Sequence, residues 1–179
     1  MGQFEDHIKQ SKSNLQFLSL VDQNIDNYWD WKVTVCFYTA VHLINAHIVK
    51  RSKANYLSHN KVDEFINPFS QFSPSKLDNP TYLAYQKLSN LSRRSRYLVH
   101  EDINKKTPTD IVDAQATYSK HYSRAVKYLE IIIDYVCAEH KQSISATNIK
   151  CIDLNNTKLK YFNIRSGITN LAGTNYNSN

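Results

Sequence analysis

Between positions 3 and 166 the chain contains no glycine, because its three glycines stand at positions 2, 167 and 173. Glycine enters left-handed backbone without steric cost, and tight hairpins, phosphate-cradling loops and dinucleotide-binding turns depend on it. A chain that lacks it over such a length has to put its residues into helices and turn with Asn, Asp and Pro. The expectation is an all-α protein, and the all-β and Rossmann classes are set aside.

Apolar residues recur at helical spacing through most of the sequence. Phe4, Ile8, Leu15, Leu18 and Leu20 form an imperfect stripe that predicts a first helix from Phe4 to about Val21, with Asp26 or Asn27 capping the next. From Tyr28 to about Arg51, the residues Val33, Val35, Cys36, Phe37, Tyr38, Ala40, Val41, Leu43, Ile44 and Ile48 leave little polar face. Such a helix belongs at the centre of a core. Residues 52 to 80, with Pro68, Pro74 and Pro80, read as a connection carrying one short helix around Val62, Phe65 and Ile66. A third long helix follows Pro80, buries Tyr82, Tyr85, Leu88, Leu91 and Leu98, and ends between His100 and Asn104. Thr107-Pro108-Thr109-Asp110 is capping chemistry with proline in the first turn. The run Ile111, Gln115, Tyr118, Tyr122, Ala125, Leu129, Ile132 and Val136 then predicts a fourth long helix, packed along its length.

After Lys141 the period is lost. The expected architecture is an up-and-down helical bundle of four to five helices over residues 1–142, with an irregular C-terminal tail over 143–179. That tail reads as a docked hairpin, a partner-binding segment or disordered chain.

A chain of 179 residues can bury a real core. Cys36, Cys137 and Cys151 are odd in number and form no CxxC pair, so neither a disulfide framework nor a zinc knuckle is expected, and the reading is a reducing, cytoplasmic setting. The apolar segment Val33 to Val49 is broken by Thr34, Thr39, His42, Asn45 and His47, which reads as a core helix and not a membrane span. Met-Gly-Gln-Phe-Glu-Asp places acids where a leader peptide carries basic residues, and no leader is expected. Twenty-two Lys and Arg against sixteen Asp and Glu give a net charge of +6, which favours polyanionic partners through counterion release. A composition rich in Lys, Asn and Ile produces the same balance for genomic reasons, so charge alone names no partner.

The segment Ser92-Arg93-Arg94-Ser95-Arg96-Tyr97-Leu98-Val99-His100 gathers three arginines and a histidine near a predicted helix end. On a continuous helix, Arg93 and His100 would lie within about 20° of one face, with Arg96 one turn before His100. An imidazole beside guanidinium groups suits phosphodiester cleavage: the histidine moves a proton and the arginine forks steady the developing charge. No metal is required. Basic residues at a helix C-terminus also answer the macrodipole, and that plainer reading accounts for the same residues.

Trp29-Asp30-Trp31-Lys32-Val33-Thr34-Val35-Cys36-Phe37-Tyr38-Thr39-Ala40-Val41-His42-Leu43-Ile44-Asn45-Ala46 resembles the helix of HEPN-type domains, in which an aromatic and acidic start leads into an FYxAxHxxxA-like run. Leu57-Ser58-His59-Asn60 and Leu91-Ser92-Arg93-Arg94-Ser95-Arg96-Tyr97 resemble two further landmarks of a bacterial HEPN-like group, in the same order. The likeness covers about residues 4 to 140. HEPN domains are helical bundles that commonly dimerise, and many are metal-independent ribonucleases of toxin–antitoxin and defence systems. Their hallmark, an Arg and a His with four to six residues between them, is met by Arg94 and by Arg93 with His100, whereas Arg96, with three between, is too close. The resemblance therefore implies Arg94 and His100 as catalytic residues cleaving RNA through a 2′,3′-cyclic phosphate. Arg93, Arg96, Tyr97 and His59 would hold substrate, in a homodimer that an antitoxin or another neighbour-encoded protein could bind. Many members have lost activity, and Ser95 stands where active members usually carry Asn, Asp or His. A catalytically inactive interaction or nucleic-acid-binding module is the alternative.

No cofactor or metal is expected, since HExxH, a His-carboxylate cluster, a P-loop and GxGxxG are all missing from the sequence. His42 reads as a hydrogen-bonded core histidine. His59 reads as a solvated loop residue that reaches the site only if its loop folds over it. Tyr82, Tyr85, Tyr97, Tyr118, Tyr122 and Tyr128 either stack on bases or fill the core with their hydroxyls at its rim.

Overall fold

A computed structural model describes residues 3–54, 58–97, 99–100, 110–111 and 119–165. Among them are five helices: α1 (Phe4–Asn24), α2 (Trp29–Ser52), the short α3 (His59–Ile66), α4 (Asn79–Tyr97) and α5 (Ser119–His140). The protein is an all-α bundle, as the periodicity predicts.

The contacts fix how the helices run. Asp22 pairs with Lys32, and Lys50 lies over the Phe4 ring, so α1 and α2 are antiparallel. Trp29 meets Tyr122 and His47 meets His140, so α5 is parallel to α2. Lys87 over Tyr128, together with the field of Arg94 at His121, makes α4 and α5 antiparallel. Up-and-down order follows, and α2 packs on α1, α4 and α5. Val33, Cys36, Phe37, Ala40, Leu43, Ile44 and Ile48 of α2 are buried in the same cluster as Leu18, Leu88, Leu129, Ile132, Ile133 and Val136. By length and composition α2 could cross a membrane, yet 72% of its apolar window is already buried inside the protein.

Scarce glycine shows at the helix ends. Tyr28 before α2, and Lys53 and Lys141 after α2 and α5, hold φ of 62°, 56° and 52°, the left-handed region where a Cβ costs about 1 kcal/mol. Capping bonds offset that cost. Lys53 N–H donates to Val49 O at 3.0 Å, and Gln142 N–H to Cys137 O at 3.0 Å. Tyr28 thus precedes α2 where Asp26 or Asn27 was the expected cap, and α1 continues to Asn24, past Val21.

Two boundaries differ more consequentially. α4 ends at Tyr97, and Val99–His100 forms a short strand, β1, pairing antiparallel with Asp110–Ile111, β2. The expected helix through His100 and the expected helix start at Thr107–Asp110 are therefore both wrong. β-Branched Val99 and Ile111 sit opposite each other in register, and extended pairing suits them better than two frayed helix ends. Leu98, Gln115 and Tyr118 lie outside the described residues. From Tyr122 onward the predicted seam holds: Tyr122, Ala125, Leu129, Ile132 and Val136 are all buried. Leu20 leaves its stripe and is exposed.

Residues 143–165 are docked on the bundle. Thr147–Ile149, β3, and Phe162–Ile164, β4, pair in parallel, with a 3-10 turn at Ile152–Leu154 between them. The pair is a crossover and not a hairpin, because parallel strands require a long connection. Ile149, Leu154 and Phe162 enter the core, Ser19 Oγ donates to Asn148 O at 2.9 Å, and Glu130 accepts from Tyr161 N at 3.1 Å. Positions 166–179 lie outside the described residues.

Candidate functional site at the basic end of the bundle

The up-and-down order brings the C-terminal turns of α1 and α4 to the same end as the first turns of α2 and α5. A buried ion pair closes that end from inside. Lys32 Nζ lies 2.7 Å from Asp22 Oδ1, with side-chain exposures of 1% and 0%. Lys32 also donates to Asp26 O at 3.3 Å and sits 4.4 Å from the Trp29 ring centroid, while Asp22 accepts the Lys150 backbone N–H. The pair joins α1, α2 and the docked segment.

Outside it lie the arginines. Arg93 is exposed and Arg94 is half-buried, its Nε enclosed and without a hydrogen-bond partner among the described residues. Arg96 turns onto α2: Nε donates to Ser92 O at 3.3 Å, Nη1 to the Tyr38 hydroxyl at 3.2 Å, and the guanidinium lies 5.4 Å from the Phe37 ring and 5.5 Å from that of Tyr38. This anchoring gives Arg96 a packing role that the sequence did not reveal. Tyr38, expected in the core, is exposed, as is Trp31 two turns before it. Together they leave an aromatic face beside Arg96. Ser95 is buried, and its hydroxyl donates back to Leu91 O at 3.0 Å.

β1 carries His100 directly beyond α4, in register with Asp110. The shared helical face of Arg93 and His100 that the spacing implied does not exist, because the helix stops before His100. The side chains of His100, Tyr97 and His59 lie outside the described part of the structure. His59 opens α3 instead of standing in a loop, and Ser58 caps that helix by accepting from Lys61 N. Asp63 of α3 takes a hydrogen bond from Gln86 on α4, two turns before the arginines. Of the tyrosines, Tyr82, Tyr85 and Tyr122 are buried in the core.

A histidine that sequence spacing did not single out stands at this end. His121, half-buried in the first turn of α5, is held below the usual histidine value by burial first, then by the Arg94 and Arg124 guanidiniums. Its distance from Arg94 along the chain hides it from any short motif. The one available signal was the seam itself, which puts His121 beside Tyr122 at the start of a helix bound to pack on α4.

Other imidazoles pair away from this end. His7 Nδ1 lies 3.1 Å from His42 Nδ1, and burial lowers the affinity of half-buried His42 for a proton. His47 Nδ1 lies 3.0 Å from His140 Nε2, and His47 Nε2 lies 3.2 Å from Ser75 O. Among the described residues no group of three or more His, Cys, Asp or Glu is placed to hold a metal ion. A cleft of about 260 Å³ between α1 and residues 143–148, and another of about 440 Å³ lined by Asp78, Glu130, Asp134 and Lys160, both lie off the basic end.

Comparison of the chain with protein-family models, with the curated proteins and with the solved structures gives no match.

Proposed function

We propose that this chain is an RNA-cleaving protein of HEPN type that works without a metal. His100 moves the proton as general base or acid, Arg94 steadies the transition state, and Arg93 holds a neighbouring phosphate. Trp31 and Tyr38 offer stacking faces to bases beside them. The observation that carries this reading is the setting of Arg94: an always-charged fork, half-buried, with an enclosed Nε that lacks a partner among the described residues and a neutral-leaning imidazole nearby. An RNA phosphate would find an acceptor's place at the part of the half-buried guanidinium that solvent reaches. The protein works in the cytoplasm as a homodimer, and an antitoxin or other neighbour-encoded protein binds it.

The test is incubation of the purified protein with labelled RNA in EDTA. Fragments ending in 2′,3′-cyclic phosphate are expected, and His100→Ala is expected to slow their formation by about 100- to 10,000-fold with the helix content unchanged. Equal cleavage by His100→Ala and the wild type ends the proposal.

The buried hydroxyl of Ser95 favours a second reading, because the position after Arg94 then offers no polar group to a substrate. In that reading the basic end binds RNA or a protein partner without turnover. It predicts intact RNA and an affinity that falls steeply with salt.

A further inference from the structure

The cleft of about 260 Å³ between α1 and residues 143–148 is built from two facing walls. One wall is a single turn of α1, where Lys12 and Gln16 stand one turn apart and share a face, with buried Leu15 at the floor. The other is the segment that leaves α5 and leads into β3, in which Ile144 is buried between the exposed Ser143 and Ser145. Ser19 Oγ, donating to Asn148 O at 2.9 Å, ties the walls together, so the gap is held open by the fold. The charge of Lys12 reaches the Cys137 thiol in the last turn of α5, across the same gap. The side chains of Lys12, Gln16, Ser143 and Ser145 make no hydrogen bond or ion pair among the described residues, and the backbone N–H groups of residues 143–146 find no acceptor there. No Asp or Glu lines the cleft among the described residues, which leaves Lys12 as its charge.

We propose that this cleft binds a small phosphate monoester, at a site separate from the basic end and independent of the ribonuclease reading. A terminal phosphate brings between one and two negative charges and three acceptor oxygens. The Lys12 ammonium answers the charge, and the Ser143 and Ser145 hydroxyls, with the unengaged N–H groups beside them, donate to the oxygens. A carboxylate has two oxygens to offer and leaves more of these donors unanswered. The organic part of the ligand lies against Leu15, Ile144 and Ala146, and the Gln16 amide, with a donor and an acceptor, serves its hydroxyls. The volume sits just below the range of about 300–1,000 Å³ usual for drug-sized ligands, so the occupant is small.

The experiment titrates the full-length, 15N-labelled protein with ribose 5-phosphate, inorganic phosphate, ribose and acetate, and follows the backbone amide signals by NMR. Ribose 5-phosphate is expected to give saturable shifts at residues 143–146 and at Lys12 and Gln16, inorganic phosphate to bind there more weakly, and ribose and acetate to leave those signals in place. Lys12→Gln is expected to weaken the binding of ribose 5-phosphate about 10- to 100-fold, and the double variant Ser143→Ala, Ser145→Ala to weaken it several-fold. All three positions are exposed, so thermal unfolding without ligand stays at the wild-type temperature in both variants. Shifts confined to Arg93, Arg94 and Arg96, an affinity unchanged in both variants, or no saturable shift at millimolar ribose 5-phosphate overturns the cleft assignment, and each leaves the ribonuclease reading standing. Acetate or ribose binding as tightly as ribose 5-phosphate overturns the choice of a phosphate, and inorganic phosphate doing so overturns the choice of a monoester.

Discussion

At the end of the bundle formed by the C-terminus of α2, charge and hydrogen bonding are settled inside the chain. With Nε2 donating to Ser75 O, His47 offers Nδ1 as an acceptor to His140; Arg51 pairs with Glu139; and the Phe4 ring packs edge-on to His140 at 5.4 Å. At the opposite end, burial first and then the charges of Arg94 and Arg124 disfavour a proton on His121, and Arg94 Nε lacks an acceptor among the described residues. Lys32 and Asp22 show that the basic end can neutralise a charge where structure needs it. The contrast separates two uses of the same side chains. Groups that answer each other hold the fold, whereas groups of one sign set together cost stability unless an anion offsets them.

The largest effect that tests this contrast is at the buried pair. Lys32→Met leaves the Asp22 carboxylate enclosed without its counter-charge, and a loss of about 3–5 kcal/mol is expected in urea unfolding. A loss below about 1 kcal/mol would mean that the pair does not secure the basic end.

The next effect belongs to the settled end and depends on pH. Burial first, then the charge of His140, lowers His47 to about 4 from its ordinary 6.5. The unfolded chain therefore takes up the proton first, so the contribution of His47 is fully present above pH 6.5 and is lost as pH falls toward 4. It amounts to about 3 kcal/mol over that window. Protonation would also set two N–H donors against each other across the 3.0 Å gap to His140. His47→Gln is expected to flatten the dependence, and a wild-type stability that stays level between pH 7 and 5 would contradict the account.

The smallest effect sharpens the comparison from its surface. Arg51 and Glu139 are paired but half-exposed, so Arg51→Ala is expected to cost only about 0.2–1 kcal/mol in the same unfolding measurement. A cost like that of Lys32→Met would place the pair in a buried network.

Most of the fold was legible in the sequence because burial at helical spacing is a local signal repeated many times. The run from Tyr122 to Val136 and the apolar face of α2 needed no partner to be recognised. The failures fall where a local rule met a competing one. Thr107-Pro108-Thr109-Asp110 is good capping chemistry, yet Asp110 and Ile111 pair with Val99 and His100, and a cap signal carries no information about a strand ten residues away. Leu20 fits a stripe whose neighbouring face turns out to be uncovered. In the candidate site, the arginines were visible as a cluster, but their separate fates were not. Arg96 lies on Phe37 and Tyr38 of α2, and the charge of Arg94 acts on His121 of α5, both far away in sequence, while Ser95 turns inward to Leu91 O of its own helix.

By itself, the sequence determined that the chain is helical, that α2 lies at its centre, and that a positive segment ends the helix after Pro80. Those properties follow from glycine scarcity, side-chain period and charge, each of which acts over one or two turns. The tertiary structure alone decided that Lys32 is buried against Asp22, that residues 143–165 complete the core as a parallel crossover, and that the charge of Arg94 reaches His121. Such pairings depend on helix direction and register, which are set by how whole faces fit together and are written in no short stretch of the chain.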